Sequence, residues 1–88
     1  MSFSEINLAE LEVLMLFDPK NHLEGIKIHK TASPANIRAA QSLFDKGFIT
    51  QEDGGYLTHI GEEAAELAQT LHTMLNAHSD EQGKIGEP

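Results

Sequence analysis

The chain has 88 residues, 40% of them apolar and 23% charged, and contains no cysteine. That length suits one domain removing about 60–65% of its unfolded surface from water and excludes a second. Without thiols there are no disulfides or thiolate metal sites, and no segment is long and apolar enough to span a bilayer.

The formal net charge of −8 is unfavourable for binding nucleic acid, because affinity for DNA comes largely from Lys and Arg neutralising phosphates. The sign is unevenly distributed, however. Residues 1–18 sum to −4 and residues 47–88 to −7, while residues 19–46 sum to +3 and hold five of the six cations, Lys20, Lys27, Lys30, Arg38 and Lys46. The N-terminus, MSFSE, lacks the basic and apolar regions of a signal peptide, so a cytoplasmic protein is expected.

Asn7-Leu8-Ala9-Glu10 has the form of a capping box and predicts a first helix starting near Asn7 and ending at Asp18-Pro19. Leu8, Leu11, Leu14 and Met15 recur at helical spacing, with Val13, Leu16 and Phe17 widening the stripe, so most of this helix is expected to be enclosed. Residues 20–32, KNHLEGIKIHKTA, fit two patterns. Leu23 and Ile26 suit one face of a short helix, whereas Ile26 and Ile28 alternating with Lys27 and His29 suit a strand, which would pair with a later hairpin and bring Lys27 and Lys30 beside the next helix.

Ser33-Pro34 is a helix-entry signal, Ser as the cap and Pro with its pre-set φ, and Gly47 supplies the left-handed residue that closes a helix over 34–46. A step of 100° per residue places Ile37, Ala40, Leu43 and Phe44 inward and Ala35, Arg38, Ala39, Ser42 and Lys46 outward. The outer set suits a major groove. Arg38 can grip guanine bidentately, Ala39 can touch a thymine methyl, Asn36 or Gln41 can read adenine, and Ser33 and Lys46 can hold phosphates.

Phe48-Ile49-Thr50 and Tyr56-Leu57-Thr58 flank an Asp53-Gly54-Gly55 turn and predict a hairpin. Its acidic tip, Gln51-Glu52-Asp53, does not suit insertion into a minor groove of negative potential. Thr58 is placed to cap a last helix, in which Ile60, Ala64, Leu67, Leu71 and Met74 step by four and three with Ala65, Ala68 and Leu75 alongside. A row of this kind can cover the chain's own core or zip against a twin. The run AHSDEQGKIGEP has no period, so residues 1–76 are expected to form the domain and residues 77–88 a disordered tail.

The five histidines, His22, His29, His59, His72 and His78, show no ligand spacing, and no nucleophile motif or phosphate-cradling Gly loop occurs. No cofactor, metal or enzymatic activity is expected.

The order of helix, short hairpin and helix in TASPANIRAAQSLFDKGFITQEDGGYLTHIG resembles the C-terminal half of a winged helix-turn-helix domain. LFDKGFITQEDGGYLTHIGEEA is similar to the corresponding run of MarR- and PadR-like regulators. From about Leu8 to Leu75 the chain also resembles a small bacterial family of uncharacterised proteins described only as DNA-binding candidates. The resemblance implies a mainly α fold with a small β-hairpin (α+β), a winged helix-turn-helix with a second helix just before the recognition helix. It further implies a transcription regulator that reads double-stranded DNA through the helix at 34–46 with Lys27, Lys30, Ser33, Asn36, Arg38, Ala39, Gln41, Ser42 and Lys46. The apolar row of the last helix suits a homodimer on a palindromic site. The alternative is a protein–protein interaction module on the same scaffold, its acidic wing and ends excluding nucleic acid and the apolar faces of the first and last helices holding a partner chain.

Overall fold

A computed structural model describes residues 2–21 and 23–77. The elements run α1 (Glu5–Leu14), β1 (Ile26–Lys27), α2 (Pro34–Asp45), β2 (Ile49–Gln51), β3 (Gly54–Leu57) and α3 (His59–Ala77). Over the described residues the fold is thus mostly helical α+β, three helices with a three-stranded antiparallel sheet in the order β1-β3-β2. The expected tail lies outside the described residues except for Ala77, the last residue of α3, and so do His22 and His78.

Helix α2 starts and stops where its sequence dictates. The Ser33 hydroxyl accepts the Asn36 amide at 3.1 Å and Pro34 opens the first turn. At the other end Gly47 sits at φ 86°, its amide donating to the Phe44 carbonyl and the Phe48 amide to the Leu43 carbonyl. This is the pair of bonds by which a left-handed residue closes a helix. The first helix begins earlier than Asn7. Ser4 is its cap, accepting the Asn7 amide while the Asn7 side chain accepts the Ser4 amide, so Asn7 is the last residue of the box rather than its first. The helix ends at Leu14 instead of Asp18, and the chain tightens through turns that keep Phe17 and Pro19 buried.

Between α1 and α2 the ambiguous stretch is a strand. Ile26 pairs with Gly55 and Lys27 with Gly54, making β1 the third strand beside the hairpin. Residues 28–33 are irregular, with a turn at Lys30-Thr31, so the stretch joining β1 to α2 contains no second helix. The hairpin turn is shorter than expected, Glu52-Asp53 alone. Gly54 and Gly55 belong to β3, where the register slips by one between Ile49/Leu57 and Gln51/Gly54, and both take positive φ. Such a bulge needs residues without a Cβ penalty, which explains the double glycine better than the turn does.

The core is thin and built on small residues. Ala9, Ala39, Ala40, Ala65 and Ala68 let the helices approach closely around Val13, Leu14, Phe17, Leu43 and Ile49. Burying each of the larger side chains contributes about 1.5–3 kcal/mol. Thr58 fastens α3 to this assembly. Its hydroxyl donates to the Gly47 carbonyl at 2.6 Å and accepts the Gly61 amide at 3.1 Å, while its own amide bonds the Phe48 carbonyl. Gly61 is buried with its Cα hard against that same carbonyl, leaving no room for a Cβ. Gly61→Ala is therefore expected to destabilise the protein by about 3 kcal/mol, because backbone must move. Gly47→Ala, where space is open but φ is positive, should cost about 1–2 kcal/mol. Urea denaturation of the two variants, with Gly61→Ala the more damaged, checks this order.

Candidate functional site

Placing the nine residues expected to face DNA starts with the side of α2 that the core takes. Ala39, Ala40 and Leu43 are all at most 1% exposed, so the inward face is wider than the sequence pattern implied. Ala39, expected outside, is enclosed by the packing of α1 against α2 and cannot touch a base. Phe44, expected inside, is 37% exposed. Arg38 and Gln41 are exposed as expected, and Asn36 is half-buried.

Ser42 and Lys46 point toward α1, where Glu10 is waiting. The Glu10 carboxylate is 8% exposed, and its Oε2 accepts the Ser42 hydroxyl at 2.7 Å and the Lys46 ammonium at 2.6 Å. Its other oxygen accepts the Asn7 side-chain amide at 3.0 Å. Three donors on one buried carboxylate form a clamp between α1 and α2. Burial is the largest single influence on this carboxyl and pushes its pKa up. The hydrogen bonds from Lys46, Ser42 and Asn7, with the charge of the ammonium, outweigh it and hold the value below the ordinary one. Ser33 is similarly occupied, as the cap of α2.

Sequence spacing alone does not pair Glu10 with Lys46, thirty-six positions later. One clue was present, since Glu10 falls on the same side of α1 as Ala9, Val13 and Phe17, and a carboxylate on an apolar face has to find donors.

The remaining expected residues divide between two sides of α2. Lys27, Lys30 and Gln41 line a cavity of about 590 Å³ floored by Ile28, Ile37 and Ala40. Glu52 and Asp53 of the hairpin tip line the same cavity, and the Lys27 ammonium stands 3.7 Å from the Asp53 carboxylate. Arg38 lies beside a different, smaller cavity of about 170 Å³, with Glu5, Ile6 and Ala35. The expected cationic face is thus two separate cations and two occupied ones. Among the described residues no group of three His, Asp or Glu side chains is placed to hold a metal ion, and no helix is long and apolar enough to cross a membrane.

A second feature is apolar. Helix α3 buries Gly61, Ala65 and Ala68, but Ile60 (46%), Leu67 (69%), Leu71 (43%), Met74 (56%) and Leu75 (69%) stay in water. Gln69 donates to the Phe17 carbonyl at 2.7 Å, and from Thr70 to Ala77 every residue of the helix is exposed. Leu8 and Leu16 of the α1 region, expected in the core, are also more than half exposed, at 53% and 56%.

A mostly helical α+β domain with a carboxylate clamp at its centre and an open apolar helix is the class these features define. Over residues 1–76 the sequence matches the family model described as Family of unknown function (DUF5669), and the chain belongs to that family. No curated protein and no solved structure matches it.

Glu10→Ala is expected to cost about 1–3 kcal/mol, and Lys46→Ala under about 1 kcal/mol because its side chain is nearly half exposed. A folded pKa below the unfolded one means that the clamp's stabilisation is complete above the unfolded glutamate value, about 4.3, and is lost as pH falls through the lowered folded value. Wild-type stability should therefore drop more steeply than that of Glu10→Gln below about pH 4.3. Thermal midpoints of the three variants and the parent across the acid range test both statements.

Proposed function

We propose that this chain is a protein–protein interaction module, a winged-helix-like scaffold that holds α3 out as a docking face. One observation carries the reading: the row of large apolar side chains along α3 that the chain's own core leaves in water. Single exposed apolar residues are ordinary, but a contiguous row marks a binding surface. A helix presenting such a row suits the mode in which an amphipathic helix docks through anchors three and four residues apart. The winged-helix description of the scaffold rests on the order of helix, hairpin and helix and on the strand order β1-β3-β2. An irregular stretch in place of a helix before α2 leaves that helix without the companion a helix-turn-helix presents to DNA.

Electrostatics favours the same reading. Lys46 is held by Glu10 and Lys27 faces Asp53, while Glu52 adds a second carboxylate at the hairpin tip. Lys30 and Arg38 are exposed, and among the described residues no ion pair holds either of them. Their freedom is what favours the second reading, a DNA-binding regulator. Two cations neutralise few phosphates, and the binding they support is weak and quickly lost with salt.

Adding duplex DNA at low salt should leave the amide spectrum of residues 27–46 in place. Shifts there that fade steeply with salt would instead establish the regulator. The double variant Leu67→Glu/Leu71→Glu should keep its helical content and the amide pattern of residues 34–57, since neither side chain serves the core. Loss of the fold in that variant would show that the row belongs to the chain's own interior and end the docking proposal.

A further inference from the structure

The open face of α3 carries a pattern that specifies its partner. Ile60, Ala64, Leu67, Leu71 and Met74 are separated by steps of four, three, four and three. That alternation averages 3.5 residues and is the a/d seam of a two-helix coiled coil, in which each apolar knob enters a hole made by four residues of the facing helix. It runs beside the side by which α3 contacts its own domain, where Gly61, Ala65 and Ala68 are buried and Ala64 is partly buried against the core, so the open members of the seam are Ile60, Leu67, Leu71 and Met74. The helix therefore has two apolar sides and fills only one of them. We propose that a second copy of this chain fills the other, the two α3 helices packing along this seam.

Two observations favour a copy of the same chain over an unrelated helix, and a third calls for an occupant of this face. First, two copies bring two identical a/d rows, the complement a knobs-into-holes seam requires. Second, the positions flanking the seam are nearly neutral. Gly61, Ala68 and Leu75 lie on one flank, and Glu63, Thr70 and Ala77 on the other. Glu62 and Glu66 fall away from the seam. A strongly acidic chain can thus meet itself along this line while placing one carboxylate per copy at the edge, with no like charge facing like charge across it. Third, all residues from Thr70 to Ala77 are exposed, and a helical end with so little packing is marginal in water unless something packs on it. From Ile60 to Met74 the seam is about 21 Å long at 1.5 Å per residue. An interface of that length lies at the small end of the specific range, so association is expected in the micromolar regime.

This inference rests on the reading of α3 as a docking face, and the test separates the two. Sedimentation equilibrium of the full chain from about 5 to 500 µM, the span a weak interface calls for, is combined with a soluble nitroxide that reports how open the Leu67 and Leu71 methyls are. The expected result is a concentration-dependent dimer in which those methyls become shielded. Leu67→Glu/Leu71→Glu and Leu67→Lys/Leu71→Lys should each stay monomeric, and an equal mixture of the two should pair, because the introduced charges complement one another only if copies face each other. A monomer throughout, with open methyls, would overturn the second copy and leave the docking face standing. A monomer with shielded methyls would overturn both, since the chain would then cover the face itself. A dimer indifferent to all four substitutions would place the contact elsewhere and overturn the proposal.

Discussion

A carboxylate buried between two helices constrains most of this small protein. Glu10 sits at the joint of α1 and α2 in a core made largely of alanines, where little apolar area is available to fix the angle between the helices. A directional interaction takes over part of that task. The carboxylate draws Ser42 and Lys46 from α2, two bonds that require α1 and α2 in one register, while Asn7 of its own helix holds the other oxygen. Taking the charge out of water is costly, and replacing a buried ion pair with apolar side chains often stabilises a protein. The clamp is better understood as specifying the arrangement than as adding net stability. It also has a functional consequence, because two side chains that would otherwise suit phosphate are committed to holding the fold.

The local parts of the structure were legible in the sequence, and the reason is physical. Ser33-Pro34 and Gly47 act through bonds to residues within a turn of themselves, so the bounds of α2 follow from the chain alone. Thr58 capping α3 belongs to the same class. Where the sequence offered a choice, a distant element decided it: Ile26 and Lys27 are extended because Gly54 and Gly55 offer free backbone groups to pair with. The first helix is capped three residues before the Asn7 signal because two overlapping boxes, at Ser4 and at Asn7, share one residue. Ser4 prevails, and the Asn7 side chain serves both the Ser4 amide and Glu10.

The candidate site was less legible because burial depends on what packs where. A helical wheel gives the angle of Ala39 correctly, but only the arrival of α1 decides that this angle is interior. The same holds in reverse for Leu8, Leu16 and the α3 row, whose spacing marks an apolar face without saying which neighbour meets it. A local sum of +3 over residues 19–46 likewise says nothing of direction. In three dimensions Lys46 turns to α1, Lys27 and Lys30 to the hairpin side, and Arg38 toward Glu5.

The two apolar sides of α3 are where sequence and fold meet function. A domain of this size has one core, and α3 supplies it with glycine and alanine while directing isoleucine, leucine and methionine away. Were the helix needed only to close the core, the large side chains would be on the inner side, where each would contribute about 1.5–3 kcal/mol on burial. The observed arrangement is the reverse. Small residues inside let α3 lie close enough for the Thr58 hydroxyl to bridge Gly47 and Gly61, and large residues outside, 43–69% exposed, leave much of their apolar area in water. Such a distribution makes physical sense when the apolar area is to be buried in a second step, against another chain, after the domain itself has folded.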